Sequence, residues 1–180
     1  NQTNYYTDLS DNNQLLYIPM NSLNTNIYYG NLKNSIYTNF NGTKNTNSYT
    51  FNGFTDYFEI PANKAPQLAN SDFTIEFWAK ISSPTETTVI YHQGVWTAGL
   101  GNMLSIYYNT VNRIYLDFHA RHIYIDISSY YNTWTHYTFT FDSSDTNYIT
   151  ASKIFINGIE QNVGHYSTTS GNKITDGTTA

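Results

Sequence analysis

Tyr115, Asp117, His119 and Arg121 alternate along one stretch of the chain, and Tyr124 and Asp126 alternate along the next. In an extended backbone successive side chains point to opposite faces, so each set shares a face. With a turn near Arg121-His122 and the two stretches paired, one sheet face would present aromatics, acids and an arginine together. That mixture suits a sugar, whose apolar ring face lies on an aromatic side chain while charged groups bond its hydroxyls. Trp96, in the loop 94–101, would add a platform. These seven residues form the candidate ligand-binding set, with a glycan as the expected partner. The plainer alternative is an ordinary solvated sheet face, where Tyr and charges are common.

Catalytic chemistry has weaker support. Glycoside hydrolysis needs two carboxylates flanking the scissile bond at a defined separation. Glu59, Glu76, Glu86 and Glu160 lie far apart in sequence, and no acid stands two residues from Glu76. Glu76, beside Trp78, is the one position a hydrolase reading would use. His119 and His122 are three apart, which in a strand puts them on opposite faces. A shared zinc ion is not expected there. With no cysteine, disulfides, thiolate ligands and thiol catalysis are excluded.

Strands must position these groups. Phe73, Ile75, Phe77, Ala79 and Ile81 alternate with Thr74, Glu76, Trp78 and Lys80, as a half-buried strand does. Ile114, Leu116, Phe118 and Ala120 form one apolar row, Ile123, Ile125 and Ile127 another, and Tyr137, Phe139 and Phe141 a third. Shorter strands are predicted at Leu15–Met20, Tyr49–Phe51, Asp56–Pro61, Val89–His92 and Met103–Tyr108. Asn157-Gly158 between apolar runs is a strong hairpin signal, and Asn41-Gly42 and Asn52-Gly53 read as further turns. No segment has sustained helical periodicity. Many short strands separated by turns predict an all-β, two-sheet antiparallel sandwich.

The 180 residues suit a single domain with a real core, residues 1–47 being the least patterned part. Charged residues make up 12% of the chain against about 25% in an average domain. Aromatics at 17% favour folding over disorder. A net charge of −5 with no basic stripe argues against nucleic acid and against an anionic membrane surface. No stretch is long and apolar enough for membrane insertion. The first residue is Asn1, which reads as a processed product or a piece of something longer.

Four segments, in order, carry a resemblance: Asn52-Gly53 with Asp56-Tyr57-Phe58-Glu59-Ile60-Pro61, then Phe73-Thr74-Ile75-Glu76-Phe77-Trp78, then Trp134-Thr135-His136-Tyr137 with Phe141-Asp142, then Lys153-Ile154-Phe155-Ile156-Asn157-Gly158. The chain resembles the laminin-G-like, concanavalin-A-like lectin/glucanase jelly roll, in the branch that includes pentraxin-like domains. The resemblance implies a jelly roll that continues past this hairpin, whereas the chain stops at Ala180. It also implies calcium, which relatives bind through loop oxygens. Asp142, Asp145 and Asn147 are the candidate metal ligands, with Asp11, Asn12 and Asn13 as an alternative, because hard cations accept such oxygens. Asp and Asn equally favour turns without any metal. The expected function is a non-enzymatic carbohydrate-binding or attachment module, extracellular or on a virion surface. The alternatives are a structural subunit of a fibre or capsid, in homo-oligomers or with other structural chains, and a polysaccharide-degrading enzyme.

Overall fold

The computed structural model describes residues 43–45, 48–58, 65–66, 68, 71–94, 103–119 and 121–166. The chain divides into two compact units, Asn1–Pro66 and Gln67–Ala180. In the first, β1 (Thr43–Lys44) pairs antiparallel with β2 (Tyr49–Thr50). Asn52 Oδ1 then accepts from the backbone N–H groups of Phe54, Thr55 and Asp56, and Gly53 takes φ 80°, closing the predicted Asn52-Gly53 turn. Tyr49 and Phe51 pack edge-on against Phe58. The strand predicted from Asp56 is not formed over 56–58, because Asp56 Oδ2 also accepts from the Asn52 N–H and holds the chain in the turn. The expected Leu15–Met20 strand and Asn41-Gly42 turn lie outside the described residues.

The second unit is an all-β sandwich. Its first sheet has the order β10–β9–β8–β3, with β3 (Phe73–Lys80), β8 (Trp134–Phe141), β9 (Ser152–Ile156) and β10 (Ile159–Glu160). The second has the order β11–β7–β6–β5–β4, with β4 (Thr88–Gly94), β5 (Met103–Tyr108), β6 (Arg113–Asp117), β7 (His122–Asp126) and β11 (Gly164–His165). All pairs are antiparallel. Beyond the hairpin, β11 pairs with β7 of the other sheet. The hairpin turn follows from its two residues: Asn157 at φ 49° and Gly158 at φ 80° give the doubly left-handed turn whose twist matches the strands. Single-turn helix α1 (Tyr148–Ala151) starts where Asn147 Oδ1 accepts from the Ile149 N–H. One turn is too short to leave a period in the sequence.

Alternation decides the core. Across the first sheet, Ile75, Phe139 and Ile154 stand side by side, as do Phe77, Tyr137 and Ile156. Across the second, Ile106, Leu116 and Ile123 form one row, and Ile114 and Ile125 flank it. The two inner faces share one hydrophobic cluster. Phe118 crosses between the sheets, 6.4 Å from Phe73 and 5.1 Å from Phe141 between ring centroids. Among the described residues, no helix is long and apolar enough to cross a membrane.

Phe139 is fully buried at the centre of this cluster. Phe139→Ala is expected to cost about 3–5 kcal/mol, measured by denaturant unfolding. Burial also pushes the Tyr137 hydroxyl up to about 12. Its unfolded counterpart ionises near about 10, so this contribution to stability is whole below that pH and is lost as pH climbs toward the folded value. Tyrosinate absorbance and circular dichroism followed together should show the last tyrosine to ionise doing so only as the strands melt.

Candidate functional site

The non-core face of the five-stranded sheet assembles in rows set by register. Ser105, Asp117 and His122 form one row, Tyr107, Tyr115, Tyr124 and Gly164 the next, and Arg113 and Asp126 the third. Tyr107 stacks on Tyr115 at 4.7 Å, and Tyr115 lies 5.4 Å from Tyr124. Arg113 places its guanidinium carbon 4.1 Å above the centre of the Tyr124 ring, a cation–π contact. His122 meets Tyr115 edge-on at 5.1 Å and stacks beneath Tyr166 at 5.2 Å, while the Tyr166 N–H bonds the His122 carbonyl. Gly164 is required here. A Cβ at that position would fall 2.5–2.8 Å from the end of the Tyr124 ring.

Tyr115 and Tyr124 thus become direct cross-strand neighbours on one face. Asp117 and Asp126 share that face, in the rows on either side, while His119 and Arg121 do not extend it. β6 ends at Asp117, because His119 adopts φ 57° and the chain turns at once, closed by the Phe118 N–H to the Arg121 carbonyl. The turn therefore falls over Phe118–Arg121, not at Arg121-His122, and outward alternation does not continue through His119 and Arg121. Asp117 and Arg121 are buried, at 5% and 9% exposure, where the sequence placed them outward in solvent. Tyr115 is buried as well, and Met103 on the same face is fully enclosed. The face is sheltered at its Met103–Asp117 end, where Tyr166 lies over His122, and more open toward Arg113 and Asp126. Trp96 lies outside the described residues.

Electrostatics follow the same gradient. Burial, and then the charge of Asp117, raise the Tyr107 hydroxyl well above its ordinary value. Asp117 Oδ1 and His122 Nδ1 face each other over 3.8 Å, and neither has a hydrogen-bond partner. That gap is too long for a direct hydrogen bond. At the open end, the Ser128 hydroxyl and backbone N–H both donate to Asp126 Oδ1 and hold its carboxyl below the usual range.

The loop proposed for a cation spends its oxygens on itself. Asp142 Oδ1 accepts from the Ser144 hydroxyl and N–H. Asp145 accepts from Thr150 and the Asn147 N–H, one on each oxygen, and Asn147 caps α1. This donor set fits turn closure, and a calcium ion there would have to displace these bonds. Among the described residues, no three His, Cys, Asp or Glu side chains converge as a metal group. Asp11, Asn12 and Asn13 lie outside the described residues.

On the four-stranded sheet, the non-core register brings Glu76 opposite Thr138, Trp78 opposite His136 and Lys80 opposite Trp134. Alternation already pointed Glu76, Trp78 and Lys80 away from the core, but their neighbours on β8 needed the register. Glu76, Thr138, Phe155 and Glu160 continue as one row. Its two carboxylates are three strand spacings apart, about 14 Å. Glycoside hydrolysis uses separations of about 5–9.5 Å.

A two-sheet antiparallel sandwich with an aromatic and polar sheet face is the architecture of lectin-like domains. A laminin-G family model, described as the concanavalin A-like lectin/glucanases superfamily, matches residues 51–179, and the chain belongs to that superfamily. No curated protein and no solved structure matches the chain.

Two outcomes follow from this geometry. Gly164→Ala is expected to push the Tyr124 ring off its stack, read as loss of the ring-current shifts between Tyr115, Tyr124 and Arg113 in an NMR spectrum. Asp126, Asp142 and Asp145 all have lowered carboxyl pKa values, chiefly through hydroxyl donors on Ser128, Ser144 and Thr150. Their contribution is whole above the unfolded value of about 3.9 and falls away as pH drops through the folded values. Thermal midpoints measured down an acid series should decline below that pH, and less steeply in Asp142→Asn.

Proposed function

We propose that this domain is a non-enzymatic carbohydrate-binding or attachment module. The observation that carries the reading is the Tyr107–Tyr115–Tyr124 ladder, with Arg113, His122 and Asp126 around it on a sheet face that is not part of the core. A pyranose beside Tyr124, whose ring Arg113 already covers, would find that guanidinium and the Asp126 carboxylate within reach of its hydroxyls. Membership of a superfamily that takes in lectins and glucanases supports sugar as the ligand class. The wide spacing of Glu76 and Glu160 supports binding without turnover. A position outside the cell accords with the usual setting of laminin-G-like domains, and a virion surface is a further part of the proposal.

A second reading, a structural assembly subunit, draws on β4. Among the described residues it stands at one end of its sheet and exposes Val89 and Ile90, the pattern of an edge that accepts another strand. Calcium dependence belongs to the same programme of tests.

The experiment is a glycan array probed with the purified chain, in calcium and in chelator, with Tyr124→Ala and Arg113→Ala beside it. Specific binding weakened about tenfold in either variant, an upper value for one aromatic contact, is the expected result. A blank array with folded protein would overturn the lectin reading, and a concentration-dependent rise in solution mass would then favour assembly. Binding that neither variant alters would remove this face from it. Loss in chelator alone would assign a cation.

A further inference from the structure

We infer that the outer face of the four-stranded sheet carries a second glycan site, independent of the tyrosine ladder, built on Trp78, Trp134, His136 and Glu76. Trp78 and Trp134 are 64% and 51% exposed. Single exposed aromatics are ordinary, and a lone one would carry nothing. Here two indoles occupy diagonal positions of one strand pair, since Trp78 opposes His136 and Trp134 opposes Lys80. Diagonal neighbours lie about 7–8 Å apart, so both rings serve one ligand. The imidazole of His136 lies 5.2 Å from the Trp78 ring and is tilted by 39°.

Polar groups stand where a sugar's edge would be. His136 Nε2 is 3.7 Å from Glu76 Oε2, and the Glu76 side chain is 62% exposed. The pair is loosely held and both members keep hydrogen-bonding capacity. The platform itself is fixed. The His136 N–H donates to Asn157 Oδ1 and the Asn157 N–H to the His136 carbonyl, so the hairpin turn locks this part of β8. A site needing no rearrangement costs less ordering on binding.

The occupant follows from charge and shape. Glu76 and Lys80 flank the rings with opposite signs, and farther along the face Lys153 pairs with Glu160 at 3.1 Å. With no net field, the face suits a neutral ligand over an acidic or basic one. Beyond the rings the face carries Thr74, Thr138 and Thr140, with Phe155 beside Thr138, and this mostly hydroxyl-bearing surround suits a hydroxyl-rich ligand better than an apolar protein surface. Strand side chains stand up from a sheet without building walls. The ligand is therefore an internal stretch of a neutral oligosaccharide chain, lying side-on with its apolar ring faces on the indoles.

Cellohexaose, laminarihexaose and mannohexaose, titrated separately while tryptophan emission and binding heat are recorded, test the assignment. At least one should shift the emission. Trp78→Ala should weaken that binding roughly tenfold, and Trp134→Ala severalfold, with unchanged circular dichroism because both rings are exposed. Glu76→Gln, which keeps shape and removes charge, should weaken it less. Arg113→Ala, on the other sheet, should leave it intact, which separates this site from the tyrosine ladder. No response to any of the three sugars overturns the proposal. So does binding that survives unchanged in both tryptophan variants.

Discussion

Phe118 belongs to the chain just after β6, yet its ring packs against Phe73 and Phe141 of the opposite sheet. Phe73 and Phe141 are themselves stacked across the β3–β8 pair at 5.4 Å. These three rings tie the two sheets together at one end, and the aliphatic rows continue the same contact along the sandwich. The turn beginning at Phe118 has to leave the strand without moving that ring, and His119 achieves this with a left-handed backbone. Ending β6 there also ends the outward row at Asp117. The interior contact thus determines which polar side chains reach the non-core face and which are folded into the turn.

The two outer faces differ in kind although both are aromatic. The five-stranded sheet has three tyrosines in ladder register, sheltered at one end, with two enclosed atoms, Asp117 Oδ1 and His122 Nδ1, that lack hydrogen-bond partners. Burying such groups costs free energy unless something bonds them. The four-stranded sheet has tryptophans in the open, on strands whose inner residues pack in or against the core. Rigid strands beneath each face keep ring positions defined, which is what a binding surface needs and what a loop provides poorly.

Much of this was legible before any coordinates. Strict alternation at 73–81 and 134–141 gave both strands and their buried rows, and Asn157-Gly158 gave its turn, because period and turn chemistry act locally. Less was legible at 115–126. Tyr115 and Tyr124 were placed on one face, but Asp117 and Arg121 were expected in solvent and are buried. Alternation predicts which side of a sheet a residue occupies and is silent about what shelters that side. The pairing of Trp78 with His136, and the closeness of both to Trp134, depend on a β3–β8 register that joins residues more than fifty positions apart.

By itself the sequence determined that this chain builds antiparallel sheets with aromatic inner rows, since a period of two and paired turn residues leave few other ways to bury them. It also determined that thiol chemistry has no place here, since there is no cysteine. Tertiary structure alone decided which outward side chains meet. That depends on strand register and on the left-handed backbone at His119, and the turn there accommodates the packing of Phe118 against Phe73 and Phe141 between the sheets. Packing is a property of the assembled interior, and no local pattern encodes it.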